Sequence, residues 1–99
     1  MKRDIVFLPA AQGEAVEAQD WYEQEVAGLG ARFRAALDVA VQAVAENPNQ
    51  FPVVFRDIRR AVLRRFPYSI FFRATDSAIF VIACFHSSRD PQAWRDRQS

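Results

Sequence analysis

The hydrophobic positions in the first half of the chain follow a helical period after one short apolar run. Residues 4–8 are β-branched, aromatic or aliphatic after one aspartate and end at Pro9, which predicts a strand at the start of the chain. Between residues 10 and 27 a stripe recurs at spacings of 4, 3 and 4, with acidic residues on the remaining face; its members are Ala11, Ala15, Ala18 and Tyr22. This pattern predicts an amphipathic helix whose alanine face lets another backbone approach closely.

A second helix is predicted after a glycine-containing turn. Gly28 and Gly30 lie just past the first periodic pattern, where glycine commonly ends a helix. A new stripe then has spacings of 4, 4, 4 and 3 and stops before Pro48; its members are Leu29, Phe33, Leu37, Val41 and Val44. We therefore predict a helix from about residue 31 to residue 46 and a helical hairpin with arms of about 25 Å each.

The second half of the chain is patterned as strands. Residues 53–55 and 58–63 are either one interrupted strand or two short ones, and the pattern leaves both open. Residues 68–73 and 78–86 predict two further strands, joined by a short connection at 74–77. The chain contains no repeat, low-complexity tract or linker, so these elements belong to a single α+β domain spanning residues 1–99.

The last predicted strand is apolar at every position from 78 to 85. A strand with one solvated face should alternate apolar and polar residues, so both faces of this strand should be covered. The helical hairpin accounts for one face. The other face is covered either by the C-terminal segment around Trp94 or by a second polypeptide, and the sequence is compatible with both.

Composition and charge narrow the class of protein. With 99 residues, of which 51% are hydrophobic and 13% aromatic, the chain can bury one core and is not of the disordered class. The net charge of +1 conceals an asymmetry, because residues 1–49 carry 4 Lys/Arg and 8 Asp/Glu whereas residues 50–99 carry 9 and 4. The basic C-terminal half therefore meets an anionic partner, or the two halves neutralise each other within the fold.

The sequence offers little for metal, cofactor or membrane chemistry. Cys84 is the sole cysteine and lies within an apolar run, which favours a buried side chain over a nucleophile. One histidine and one cysteine supply no metal-ligand set, and the three glycines form no phosphate-binding loop, so we expect no metal and no cofactor. The start is too charged for a signal peptide and no apolar run suits a membrane span, so we expect a cytoplasmic protein with no membrane contact.

Several short motifs occur in order along nearly the whole chain. They are Trp21-Tyr22-Glu23, Gly28-Leu29-Gly30 with Phe33, Asn47-Pro48 to Phe51-Pro52, Arg59-Arg60, Arg65-Phe66-Pro67-Tyr68, and His86 with Arg89-Asp90-Pro91 and Trp94. As a set they resemble the ParE branch of the RelE/ParE toxins of bacterial toxin-antitoxin modules. The resemblance implies an N-terminal strand and a helical hairpin packed on a small curved antiparallel sheet. It also implies a toxin that binds and inhibits DNA gyrase, and a ParD-like antitoxin whose C-terminal segment wraps the toxin in a hetero-oligomer.

Arginines dominate the strand region after residue 55. Six lie between Arg56 and Arg73 with Asp57 as the single acidic residue, and guanidinium groups bind phosphate and carboxylate in a bidentate way. They form either a functional patch or solvated strand ends with salt bridges to the acidic first helix. On the functional hypothesis, the residues predicted to contact the target are Arg59, Arg60, Arg64, Arg65, His86, Arg89 and Trp94.

An alternative function is a ribosome-dependent mRNA endonuclease of the RelE kind. Its candidate residues for phosphate binding and proton transfer are Arg64, Arg65, His86 and Arg89. This set is incomplete, because transesterification needs a second proton carrier, yet no tyrosine follows Tyr68 and no lysine lies near the arginines. His86 is otherwise a structural residue that hydrogen-bonds the following loop. We therefore expect no catalytic residues and a protein that acts by binding.

The predicted antitoxin contacts are apolar side chains of the helical hairpin and the last two strands. They are Trp21, Phe33, Leu37, Phe72, Phe80 and Ile82. Large aromatic side chains commonly anchor protein interfaces, and a wrapping antitoxin segment would cover such a surface.

Overall fold

The computed structural model, which describes residues 2–98, contains a five-stranded sheet, a helical hairpin and a short C-terminal helix. The elements are β1 (Asp4–Phe7), α1 (Pro9–Glu25), α2 (Leu29–Glu46), β2 (Val53–Phe55), β3 (Ile58–Val62), β4 (Tyr68–Ala74), β5 (Ala78–His86) and α3 (Gln92–Arg95), with short 3-10 turns at Pro48–Gln50 and Asp96–Gln98. This confirms the predicted α+β fold and its element order, with two separate strands between residues 53 and 62. Within the described range, no helix has the length and apolar character that crossing a membrane requires.

A single carboxylate organises the turn of the helical hairpin. Gly28 has φ 88°, a left-handed conformation that glycine adopts without strain. The Glu23 carboxylate accepts hydrogen bonds from the N–H groups of Gly28 and Gly30 at 3.0 to 3.1 Å. Because these donors would otherwise be unpaired at the start of a helix, α2 begins at Leu29, slightly before the predicted start.

The two helices of the hairpin approach each other closely, as the alanine stripe predicts. Ala11, Ala15 and Ala18 are buried. A Cβ atom added at Gly30 would lie 2.8 Å from the carbonyl oxygen of Gln19, inside the closest normal contact. The hairpin therefore depends on small residues at this crossing.

The sheet is mixed, with strand order β1-β5-β4-β3-β2. The predicted antiparallel arrangement holds for β2 to β5, and β1 pairs in parallel with β5, Asp4 opposite Ala78 and Phe7 opposite Val81. Parallel neighbours require a long crossover, and here the helical hairpin and three strands provide it. The N-terminal strand and the last strand are therefore neighbours in the sheet.

Both faces of β5 are covered by the chain itself. One face packs under the helical hairpin and contributes Ile79, Val81 and Cys84 to the main core. The other face packs with Trp94 of α3 and contributes Ile82, Ala83 and Phe85 to a second cluster. Of the two covers that the sequence leaves open for this face, the structure has the C-terminal segment.

A β-bulge sets which β5 residues face which cluster. Phe72 of β4 pairs with Val81 and Phe71 pairs with Ala83, so Ile82 is an extra residue between the two pairs. The bulge turns two consecutive residues, Ile82 and Ala83, toward the Trp94 side of the sheet. Trp94 stacks on Phe71 with ring centroids 4.5 Å apart and seals that cluster.

Candidate functional site

A groove with a cavity volume of about 680 Å³ lies between α2 and the connection from β3 to β4. We call it the arginine-rimmed groove. It is lined by Tyr22, Leu29, Arg32, Ala35, Ala36, Val39, Arg64, Arg65, Phe66 and Pro67. Its floor is mostly apolar and its polar groups are mainly guanidinium groups, so it suits a ligand that combines apolar and acidic side chains.

The turn that carries Arg64 and Arg65 is anchored to the hairpin by aromatic packing. The N–H of Leu63 donates to the carbonyl of Tyr68 at 2.9 Å, which closes the turn. Phe66 packs edge-on against Tyr22 and Phe33, with ring centroids 5.0 and 5.3 Å apart. Arg65 has φ 68°, a left-handed conformation that is uncommon outside glycine. The two arginines therefore project from a turn whose position is fixed by the packing of Phe66 against the helical hairpin.

The arginines of the strand region divide by what they contact. Arg73 pairs with Asp57 at 2.9 Å, and Arg59, which is half-buried, donates to the carbonyl oxygen of Phe51. Within residues 2–98, Arg64 and Arg65 have no acidic partner. The salt bridges to α1 come instead from the C-terminal segment, so the turn arginines are free for an external anion.

A second pocket, of about 180 Å³, lies on the sheet face covered by α3. We call it the His86 pocket. It is lined by Val54, Arg60, Ser69, Phe71, Phe85, His86, Ser87, Arg89, Pro91, Trp94 and Arg95. The pocket brings the end of β5 next to β3 and the C-terminal segment, and it places three arginines beside the single histidine.

The hydrogen bonds of His86 fix the position of its ring proton. The backbone N–H of Ser88 donates to His86 Nδ1 at 3.0 Å, and the Ser88 hydroxyl oxygen lies 2.8 Å from the same nitrogen. Nδ1 is therefore an acceptor, and Nε2 carries the proton. The ring also packs edge-on against Tyr68 at 5.2 Å. These contacts agree with the structural role that the sequence offers for His86, and they present its Nε2–H as a donor.

Glu14 of α1 is an organising residue that sequence reasoning missed. Its carboxylate accepts from the N–H of Cys84 at 3.0 Å, from Arg97 at 2.6 Å and, more distantly, from Arg89 at 3.4 Å. It thus joins α1 to β5 and to the C-terminal segment. The available signal was its place three residues after Ala11 and four before Ala18, which puts it beside the buried stripe.

Cys84 is inert in this environment. Burial, with a further contribution from the nearby Glu14 carboxylate, raises the pKa of the thiol to about 12 from an ordinary value of 9.0. The thiol therefore stays protonated and is a poor nucleophile. Across the described residues, no three His, Cys, Asp or Glu side chains are grouped as metal ligands.

The sequence pattern of the family described as "ParE toxin of type II toxin-antitoxin system, parDE" matches residues 5–91 of this chain. The chain belongs to the ParE toxin family. The match includes the hairpin, all of the sheet beyond its first residue, and the loop after His86. The arginine-rimmed groove and most of the His86 pocket therefore lie within the part that the family shares.

Two curated relatives carry the name of a ParE toxin, and one solved structure shares the fold. "Toxin ParE2" of Mycobacterium tuberculosis, from strain CDC 1551 / Oshkosh and from strain ATCC 25618 / H37Rv, is 33% identical over 61 residues, which span 62% of this chain and 58% of the relative. A chain of the structure titled "Chromosomal ParDE TA system from P. aeruginosa" has a TM-score of 0.71 at 18% identity, covering 86% of this chain and 96% of that chain. This structural likeness shows a shared fold.

Four of the six residues predicted to contact an antitoxin are buried in the ParE core, which corrects their expected accessibility. Phe33, Leu37 and Phe72 have no exposed surface and Ile82 retains 2%. These side chains are large and apolar, a property that suits an interface but that also places them inside this fold. Trp21, with 55% of its surface exposed, and Phe80, which is half-buried, remain open to a partner.

Two of the residues predicted to contact the target, Trp94 and Arg59, instead make contacts within the protein. Trp94 is fully buried beneath Phe55 and Phe71, so it covers the sheet instead of presenting an aromatic surface. Arg59 is bound to the Phe51 carbonyl. Of the predicted set, Arg60, Arg64, Arg65 and Arg89 are exposed and His86 is half-buried.

The residues proposed for an endonuclease are not gathered at one place in this ParE fold. Arg64 and Arg65 line the arginine-rimmed groove, whereas His86 and Arg89 line the His86 pocket. Neither cavity is lined by members of both pairs. General acid–base catalysis on a bound phosphate needs these groups within hydrogen-bonding reach of one reacting site.

Proposed function

We propose that this chain is the toxin of a type II toxin-antitoxin module, that it inhibits DNA gyrase by binding it, and that a ParD-like antitoxin neutralises it. The observation that carries the proposal is the separation of the turn arginines from His86, which line different cavities. The turn arginines thus offer basic groups for recognition in a groove that has no histidine in its lining. Because gyrase acts on the bacterial chromosome, the proposal places the protein in the cytoplasm.

The proposed target surface centres on the turn between β3 and β4. Arg64 and Arg65 are exposed and, across the described residues, unpaired with any carboxylate. Their turn is anchored by Phe66, so binding a partner there orders few additional backbone groups. Arg60, His86 and Arg89 form a second basic region around the end of β5.

The proposed antitoxin surface is the arginine-rimmed groove. Its apolar floor fits aliphatic side chains of an antitoxin segment, and its unpaired guanidinium groups fit acidic ones. A segment lying in this groove would also cover Arg64 and Arg65. Neutralisation then follows from occlusion of the target surface within a toxin-antitoxin hetero-oligomer.

The proposal is tested by DNA supercoiling with purified gyrase. Wild-type toxin is expected to inhibit supercoiling, and the antitoxin to restore it. The double variant Arg64→Ala/Arg65→Ala should lose at least about tenfold in potency, since each charge-assisted hydrogen bond contributes on the order of 1.5 kcal/mol. Arg34→Ala is the matched control, because it removes the same charge from an exposed pair with Asp38 outside the groove.

The competing endonuclease function has a distinct outcome in the same preparation. If saturating toxin leaves supercoiling unchanged while messages on translating ribosomes are cut in phase with codons, the gyrase proposal fails. If both activities are absent but the antitoxin binds, the protein acts on another target. The endonuclease remains the contrasting hypothesis, because its four candidate residues are divided between two cavities.

A further inference from the structure

The His86 pocket contains several hydrogen-bond donors and no carboxylate. Its charged lining residues are Arg60, Arg89 and Arg95, and its other polar side chains are His86, Ser69 and Ser87. Three guanidinium groups around so small a cavity repel one another, and the fold places no acidic side chain in the lining to offset this. A pocket with this lining favours an anion over a neutral ligand.

Two buried N–H groups at this pocket have no acceptor within residues 2–98. They are Nε1 of Trp94, a residue with no exposed surface, and Nε of Arg95. Leaving a buried donor unpaired costs on the order of 1–3 kcal/mol, so native proteins pair nearly all of them. Both groups are donors, and both belong to residues that line the same pocket.

Aromatic rings hold two of the arginines in place. The guanidinium carbon of Arg95 lies 5.1 Å from the Phe55 ring centroid, and that of Arg89 lies 3.9 Å from the Phe85 ring centroid. Stacking of this kind orients a guanidinium while leaving its edge N–H groups to donate. Arg89 is also 3.4 Å from Glu14, but the short contact of that carboxylate is with Arg97 at 2.6 Å.

We propose that the His86 pocket is a binding site for a phosphate group. Three positive charges match a phosphate dianion better than a single carboxylate, and phosphate has enough acceptor oxygens for several guanidinium groups together with the Nε2–H of His86. The volume of about 180 Å³ is sufficient for one phosphate group. The pocket aromatics Phe71, Phe85 and Trp94 are buried, so they give no open platform for stacking a base.

Phosphate binding at this site is measured without gyrase, so its test uses the isolated chain. The readout is the indole N–H resonances of the two tryptophans in a proton-nitrogen correlation spectrum during titration with inorganic phosphate. The Trp94 resonance is expected to shift saturably, while Trp21, which is exposed and lies outside the pocket, provides an internal control. Resonances that both stay fixed, or that both drift linearly together, would overturn the proposal.

Variants localise the effect. Arg60→Gln removes an exposed guanidinium whose side chain has no hydrogen-bond or ionic partner among the described residues, so folding should be retained. It is expected to weaken phosphate binding about tenfold, as for loss of one charge-assisted hydrogen bond. Arg34→Gln removes one positive charge from α2, outside the pocket, and this variant should bind phosphate like the wild type. Equal affinities of Arg60→Gln and the wild type would contradict the assignment.

Further titrations identify the chemistry and its source. Acetate should bind much more weakly than inorganic phosphate, and equal binding would reduce the pocket to an unspecific anion patch. A 5′-phosphorylated dinucleotide that shifts Trp94 at lower concentration than inorganic phosphate would support a nucleic-acid end as the source. Failure of the dinucleotide, with inorganic phosphate still binding, would support a free phosphate. Neither result bears on gyrase, so this inference and the proposed function can fail separately.

Discussion

Arg65 has a backbone conformation that suits glycine better than arginine. Its φ of 68° places it in the left-handed region, which costs a residue with a Cβ about 1 kcal/mol. Residues held in sparsely populated conformations are found disproportionately at binding sites. Its side chain lines the arginine-rimmed groove. The arginine at this position is therefore better explained by binding than by folding.

Replacing Arg65 by glycine should separate these two roles. Arg65→Gly is expected to leave the free energy of unfolding unchanged or to raise it by up to about 1 kcal/mol, because the strain is relieved. Inhibition of gyrase should weaken at the same time. Urea denaturation and the supercoiling assay measure the two effects on one preparation. A marked loss of stability would instead mean that the arginine side chain holds the turn.

The buried thiol of Cys84 predicts a specific pH dependence of stability. Its pKa is about 12 in the folded chain against an ordinary 9.0, so the folded state retains the proton at pH values where the unfolded chain has lost it. This contribution is complete below pH 9 and is lost as the pH rises from 9 toward 12. Between about pH 8 and about pH 10, unfolding free energy should therefore fall more steeply for the wild type than for Cys84→Ala. Parallel slopes would contradict this assignment.

At the scale of elements, the sequence predicted the two long helices and the regions that form strands, but it did not predict α3. It also could not say which apolar surfaces pack against each other. The stripe that contains Phe33 and Leu37 correctly identified the inner face of α2. The same two residues are also predicted to contact an antitoxin, because hydrophobic periodicity shows that a helix face is covered without showing what covers it. The structure places these residues against the chain's own sheet.

The candidate site was predicted only in part, for a related reason. The sequence singled out Arg64, Arg65, His86 and Arg89 as one group. In the structure the turn carries the first two to the groove beside α2, whereas His86 lies at the end of β5. Strand pairing, the bulge at Ile82 and the position of α3 determine this separation, and all three depend on contacts between residues distant in the sequence.

The crossing of α1 and α2 gives a matched pair of glycine substitutions. Gly30→Ala would place a Cβ 2.8 Å from a backbone oxygen of α1 and should destabilise the protein by about 1–3 kcal/mol, as overpacking does. Gly13→Ala, where nothing lies within 4 Å of the added Cβ, should stabilise α1 by about 0.5–1 kcal/mol. The transition temperatures of the two variants are measured by thermal unfolding. If Gly30→Ala and Gly13→Ala unfold at similar temperatures, the helices do not pack this closely.

At the scale of the molecule, one sheet separates two apolar clusters of unequal size. The larger lies beneath the helical hairpin, and the smaller depends on the C-terminal segment, chiefly on Trp94. That segment is held at a second point by Arg97, which donates to the Ile82 carbonyl at 3.0 Å and pairs with Glu14. The C-terminal segment, which covers the smaller cluster, is therefore bound both to the sheet and to α1.

Removing Trp94 should expose this smaller cluster. Trp94→Ala is expected to cost about 3–5 kcal/mol and to uncover Phe71 and Phe85, which favours self-association. Trp21→Ala is the control, because its ring is 55% exposed and its loss should change stability by less than about 0.5 kcal/mol. Urea denaturation and light scattering distinguish the variants. If Trp94→Ala were monomeric and as stable as the wild type, α3 would contribute little to the stability of the fold.

The parallel pairing of β1 with β5 has a consequence for synthesis. Asp4 and Ala78 are opposite one another, so the first strand cannot take its place until most of the chain has been made. While the polypeptide is still emerging from the ribosome, the helical hairpin can form locally but has no sheet to cover, since contacts between distant residues form late. A truncated translation product that ends before residue 78 would therefore lack β5, which contributes to both apolar clusters and to the His86 pocket. Only a chain completed through β5 can therefore adopt the fold described here.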